Sequence, residues 1–465
     1  MTLTFASSAA ARPVWLASKD DWASLRESLP QAARDFAVAA KFEAAAGKLL
    51  LLPGADGVGG AVFGLGGEPG RDPFLPGQLA TLLPAGDWAF ANDTPRPALA
   101  ALAFLLSSYR FGRYKATAGD APRLVCPQGV DAARVESLAN AVCFGRDLIN
   151  TPANDMGPQA LHDAARDLAA AHGARLAATV GDALQAENFP LIHAVGKASS
   201  QAPRLVEFVW GADGAPKVTL VGKGVCFDTG GLDIKPSPAM LLMKKDMGGA
   251  ATALACARMI MEAQLPVRLR VILPIVENAV SGDAFRPGDI YRSRKGLTVE
   301  IGNTDAEGRL ILADALALAD EDAPDLLFDF ATLTGAARVA LGPDLPPFYC
   351  ADDALAADIA ALGFGENDPV WRLPLWDPYD KLLDGKISDL NNAPAGPFAG
   401  SITAALFLRR FVSRARAWIH FDVYGWSPSA RPGRPEGGEI QAARMVFALV
   451  EKRLRDGALA AAAQS

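Results

Sequence analysis

What the chain lacks narrows its chemistry first. Five cysteines, Cys126, Cys143, Cys226, Cys256 and Cys350, are scattered through 465 residues and form no C-x-x-C pair. An odd, dispersed set speaks against a disulfide framework or a cysteine-type zinc site, and fits a reducing cytoplasm. Histidine is scarcer still: His162, His172, His193 and His420 offer no pair at metal-ligand spacing and no H-E-x-x-H, which argues against a histidine-based zinc protease. No G-x-S-x-G marks a serine nucleophile elbow. The longest apolar run, near Ala98–Leu106, is far too short to cross a bilayer. Met1–Arg12 has no charged start followed by an apolar stretch, so no secretory leader is expected and a cytoplasmic location is. There is no basic run, and the net charge is -7, so nucleic acid and anionic membranes have no electrostatic support as partners.

What is present is folded-protein composition: 50% of residues are hydrophobic and 21% charged, which excludes disorder. The length predicts two domains, a small N-terminal α/β domain over 1–130 and a larger α/β domain over 131–465 that begins with a linking helix. In the first, Lys48–Leu52 and Gly60–Leu65 read as strands, and Pro97–Phe111 as a helix with proline near its start. Ala132–Ile149 reads as the linking helix, stopped by Asn150-Thr151-Pro152. Beyond it, β-rich runs at Val218–Gly222, Val267–Val276, Leu326–Leu333 and Trp418–Val423 alternate with helical patterns at Met247–Glu262, Leu310–Ala319 and Ser401–Val412. That alternation predicts an α/β layer architecture with helices flanking a mixed sheet.

Charge concentrates in three segments set in apolar or glycine-rich surroundings. In Asn303-Thr304-Asp305-Ala306-Glu307-Gly308-Arg309-Leu310, Asp305, Glu307 and Arg309 are spaced i, i+2, i+4. On an extended segment they would face one small volume. Clustered carboxylates raise one another's pKa unless a cation neutralises them, and a divalent metal suits such hard oxygen ligands. A solvated loop with an internal salt bridge is the plainer reading of the same residues. A second segment, Val221–Gly231, follows an apolar strand, where open α/β sheets place their sites. Its Gly-Lys is no phosphate loop, because Lys217 stands where the first glycine belongs and Gly224 follows Lys223; a dinucleotide fingerprint fails at Phe227. The third segment contains Asp246, just before a predicted helix, where it reads by itself as an N-cap.

Taken together the segments resemble the cytosolic leucine aminopeptidase family. The octapeptide Asn303–Leu310 matches that family's signature in full, and Lys223, Asp228, Lys235 and Asp246 keep its spacing. Tyr109-Arg110-Phe111, Asn150-Thr151-Pro152, Ala331–Ala336 and Ser388-Asp389-Leu390 also match. The resemblance is strong from about residue 130 onward. It implies a metal-dependent aminopeptidase that removes single residues from peptides with a free N-terminus. Two divalent ions (manganese or zinc, with magnesium also suitable) would be held by Lys223, Asp228, Asp246, Asp305 and Glu307, with Asp228 and Glu307 bridging. Lys223 would then be neutral. Lys235 would stabilise the oxyanion, and Arg309 would hold a bicarbonate that shuttles a proton. Thr332, Leu333, Gly335 and Tyr424 would contact substrate, and the subunits would form a hexamer around an inner cavity. One departure stands out: Tyr424 occupies a position before Gly425 where the family usually has a small residue, so a side-chain preference other than plain leucine is expected. Three alternatives remain at this stage: a two-metal phosphoesterase, an oligomeric binding protein, and a relative that has lost its metals.

Overall fold

A computed structural model describes residues 2–7, 10–55, 57–67, 72–116 and 119–459. The chain forms two compact units. One comprises the residues up to Cys143 together with Pro428–Glu436; the other comprises Phe144–Ser427 and the chain from Gly437 onward.

The first unit is built on a sheet of five strands among the described residues, in the order Leu49–Gly54, Gly57–Gly66, Arg12–Ser18, Gly86–Phe90, Pro122–Leu124. The first pair, which holds the two expected strands, is antiparallel; the remaining pairings are parallel. Trp22, Ala33 and Ala37, from two helices, and Leu29 between them bury against Leu52 and Val62 of the sheet. The helix Pro97–Ser107 ends before the expected Phe111. The Arg110 guanidinium donates to the carbonyls of Ser107 and Tyr109, satisfying groups that a longer helix would have paired.

The second unit holds a mixed sheet of nine strands among the described residues. Its centre is parallel: Trp418–Asp422, Leu326–Ala331, Lys217–Gly222 and Arg268–Asn278 lie side by side. Arg204–Trp210 and Arg175–Val180 continue one flank antiparallel, and Pro347–Cys350 pairs antiparallel with Trp418–Asp422 on the other. Gly224–Asp228 runs on from Lys217–Gly222 and pairs with the far end of Arg268–Asn278. The central strands read as continuous apolar runs because helices cover both faces. Glu307–Glu321 is buried almost all round, including Leu310, Ile311, Leu312 and Leu316, and so lies within the core rather than on it. Gly248–Glu262 opens with Gly-Gly-Ala-Ala, which lets its backbone approach the sheet until Ala250 N–H reaches the carbonyl of Lys223 at 2.8 Å. No described helix is long and apolar enough to cross a membrane.

Candidate metal and active site

The C-terminal ends of the parallel strands supply the site. Lys223 follows Lys217–Gly222, Thr332 follows Leu326–Ala331, Asp228 ends Gly224–Asp228 and Asp422 ends Trp418–Asp422. The side chains of Lys223, Asp228 and Thr332 converge with residues of two connecting segments on a cavity of about 310 Å³. Lys223, Asp228, Lys235, Asp246, Asp305, Glu307, Thr332, Leu333, Gly335 and Tyr424 all line it. Arg309 is the one sequence candidate outside that lining.

Asp228, Asp305 and Glu307 each bring a carboxylate oxygen within 4.8 Å of the others. Asp228 is held by Gly230 N–H and Asn278 Nδ2, each donating at 2.9 Å to its Oδ1. Its Oδ2 lies 2.8 Å from Lys235 Nζ, which also contacts Asp305. Lys223 Nζ sits 2.8 Å from Asp246 Oδ2 and 2.9 Å from Glu307 Oε1, and donates to the carbonyl of Thr332 at 2.9 Å. Gly308 makes this approach possible, since a Cβ there would lie 2.6 Å from Lys223 Cε and 2.7 Å from its Nζ. The loop carrying Lys235 turns through Gly230 and Gly231, both at positive φ, and Thr304 pins it by donating from Oγ1 to the carbonyl of Gly230.

The electrostatics follow from crowding like charges in a dry place. Burial and the neighbouring Asp228 push Glu307 up to about 8 and Asp305 up to about 6, and burial raises Asp246 as well. For the two lysines, burial pulls down, but the carboxylates outweigh it and hold both above the ordinary lysine range. Among these carboxylates Lys223 is the counter-ion. Lys245 differs: burial, only partly offset by Asp246, lowers it to about 8. Asp246 Oδ2, Asp305 Oδ1 and Glu307 Oε1 are buried and accept no well-directed hydrogen bond among the described residues. Buried carboxylate oxygens left in this state are what a cation site looks like from the protein side.

Two expectations need correction. Asp305, Glu307 and Arg309 do not share the face of an extended segment. The helix begins at Glu307, three residues earlier than expected, so Glu307 and Arg309 lie on its first turn while Asp305 is in the preceding turn. The two carboxylates still meet, but the Arg309 guanidinium turns to the carbonyl of Asn392 at 2.6 Å. Its Nε is buried without a partner among the described residues, and burial lowers the guanidinium to about 10. Asp246 is not a helix cap either. Met247 stands at that position, and Asp246 Oδ1 instead accepts from Thr332 Oγ1 at 2.7 Å. Desolvated between Lys223 and Thr332, the carboxylate has better partners than a helix end.

Three supporting residues were not singled out from sequence. Asn278 also donates to the carbonyl of Thr304, tying the Asp228 strand to the Asp305 turn. Asn392 Oδ1 accepts from Gly302 and Asn303 N–H, and its Nδ2 donates to the carbonyl of Asn303. Asp422 accepts from the N–H groups of Leu333 and Thr334 at 3.1 Å and from Thr334 Oγ1 at 2.6 Å, fixing the loop after Ala331. The signals were there: an amide ends a buried strand at Asn278, and Asn392 closely follows Ser388-Asp389-Leu390.

Comparison with known proteins agrees along most of the chain. Residues 143–449 match the cytosol aminopeptidase family, catalytic domain, and residues 12–127 match the M17 aminopeptidase N-terminal domain. A probable cytosol aminopeptidase of Syntrophotalea carbinolica is 40% identical over 366 residues, 75% of this chain and 73% of that protein. The crystal structure of cytosol aminopeptidase from Coxiella burnetii superposes with a TM-score of 0.92 at 43% identity, covering 96% of this chain and 98% of the other. The bottromycin maturation enzyme BotP, in complex with Mn, superposes with a TM-score of 0.86 at 32% identity, covering 96% and 99%.

Proposed function

Because the chain belongs to the cytosol aminopeptidase family and is on that ground an aminopeptidase, we propose that it releases single N-terminal residues from peptides using two divalent ions held by Lys223, Asp228, Asp246, Asp305 and Glu307. The observation that carries this reading is the convergence of Asp228, Asp305 and Glu307, together with buried oxygens of Asp246, Asp305 and Glu307 whose only partners among the described residues are the ammonium groups of Lys223 and Lys235. Manganese is a reasonable occupant, since BotP was solved with Mn; zinc and magnesium also suit these ligands. When bound, such ions would acidify a water and polarise the scissile carbonyl.

The protein's own groups do the rest. Asp228 is positioned by two donors before any ion arrives. Lys223 would have to lose its proton to solvent to serve as a ligand, because an ammonium has no lone pair to offer. Lys235 is close enough to the carboxylates to meet negative charge as it develops on the carbonyl oxygen, so it acts on rate rather than on ground-state binding. Arg309, with a buried Nε still lacking a partner among the described residues, is the donor left for a bicarbonate. Thr332, Leu333, Gly335 and Tyr424 border the space for substrate. We extend the reading to the cytoplasm, supported by the relatives being named cytosol aminopeptidases, and to the homohexamer that the family resemblance implies.

The test is hydrolysis of aminoacyl anilides by metal-stripped protein before and after manganese or zinc is restored. Release should return with metal and disappear when the substrate α-amine is blocked. Cleavage of a phosphate monoester in its place would move the site to another reaction. Gly308→Ala is expected to cut kcat/KM by about 100-fold although it removes no functional atom, because the added methyl displaces Lys223. Initial rates with metal content measured alongside would check it, and an unaltered rate would mean that the lysine's placement is not critical.

A further inference from the structure

The cavity has two sides of opposite character. The carboxylates lie on one side, against Lys223 and Lys235. The other side is lined by Met243 and Leu242, the ring of Tyr424, and two cations, Lys245 and Arg338. Lys245 Nζ lies 4.6 Å from the centre of the Tyr424 ring, and the Arg338 guanidinium lies 5.1 Å from it. Arg338 also donates to Tyr424 Oη at 3.4 Å.

Neither cation has an acid of its own. Lys245 is 6% exposed, yet its ammonium has no hydrogen bond and no ion pair among the described residues, only the tyrosine ring. The adjacent Asp246 is committed to Lys223 and Thr332. Arg338, nearer solvent, likewise has no carboxylate partner among the described residues. A buried ammonium without a counter-ion is costly, and a cation–π contact recovers only part of that cost. Such an arrangement makes sense where a ligand brings the missing charge.

The aminopeptidase reading says which part of a ligand that is. With the scissile carbonyl and α-amine at the carboxylate side, the first side chain has the remainder of the same cavity to enter. We propose that Lys245 and Arg338 make this an acid-selective pocket, and that the preferred substrates begin with aspartate or glutamate rather than leucine. The proposal rests on the aminopeptidase reading and adds its substrate class. Tyr424 holds the two cations in place and fills volume that a branched aliphatic side chain would otherwise occupy.

The experiment compares kcat/KM for glutamyl, glutaminyl, aspartyl and leucyl anilides with the manganese-loaded protein. Anilides have no terminal carboxylate, so a preference among them belongs to the first side chain. Glutamyl should exceed its neutral isostere glutaminyl by at least about tenfold, since glutamine can accept a hydrogen bond from the cations but leaves their charge uncompensated. Lys245→Met should collapse that ratio, mainly through KM for the glutamyl substrate. Arg338→Gln, at an exposed position where folding is not at risk, should lower the same ratio. Cleavage of leucyl anilide with glutamyl no better than glutaminyl would overturn the acid pocket and leave the aminopeptidase standing. A ratio unmoved in both variants would overturn the assignment to these residues. No cleavage of any anilide would bring down the aminopeptidase reading, and the pocket with it.

Discussion

Glu307→Gln is expected to leave a folded protein that retains little metal and cleaves aminoacyl anilides more than about 100-fold more slowly, since even partners behind a ligand commonly cost 10–100-fold. The glutamate is 1% exposed and belongs both to the carboxylate trio and to the Lys223 cluster. Glutamine keeps the shape and removes the charge, so lost activity cannot be assigned to a cavity. Metal analysis by mass spectrometry and initial rates at saturating manganese would check the outcome together. A variant that binds metal and turns over normally would remove Glu307 from the ligand set.

The second large effect concerns stability and lies behind the site. Asp329 and His420 are neighbours across the parallel strands Leu326–Ala331 and Trp418–Asp422, and both are fully buried. His420 Nδ1 lies 2.5 Å from Asp329 Oδ1, and Trp418 Nε1 donates to Asp329 Oδ2 at 2.7 Å. Burial alone would lower His420, but the Asp329 charge and hydrogen bond outweigh it, and the imidazole is held above its ordinary value. A group raised in the folded state contributes stability that is complete below its unfolded pKa and is lost as pH rises through its folded one. Asp329→Asn should therefore cost about 3–5 kcal/mol on the acid side, as expected for an uncompensated buried charge, and less at alkaline pH. Urea unfolding at pH 6 and pH 9 would show this. An equal loss at both would mean that Asp329 matters for its shape and not for its charge.

Much of the site could be read in the sequence because its chemistry is local. Asp305 and Glu307 sit in one octapeptide, and Lys223, Asp228, Lys235 and Asp246 fall within a short stretch. The central strands announced themselves as apolar runs because both faces are covered. What local reading could not supply was direction. Asp246 has the sequence context of a helix cap, and only the arrival of Lys223 and Thr332 from other strands turns it inward. Glu307 opens a helix that appeared to begin later, because Gly308 in its first turn is a poor helix former. Asn278, Asn392 and Asp422 act across long sequence separations on the backbone of other loops, so their sequence context did not reveal which groups they hold. Lys245 looks like an ordinary basic residue until its lack of an acid partner among the described residues is seen in three dimensions.

The wiring around Lys223 also bears on when a peptide-cutting protein first becomes able to cut. Its ammonium bonds to a carbonyl 109 residues further along the chain, and Leu333 and Thr334 depend on a carboxylate 89 and 88 residues beyond them. Contacts of such range form late, after the loops between them have been closed. A chain still emerging from the ribosome, or one partly unfolded by heat, holds the individual residues but not the constellation. Proteolytic competence is thus tied to completion of the fold.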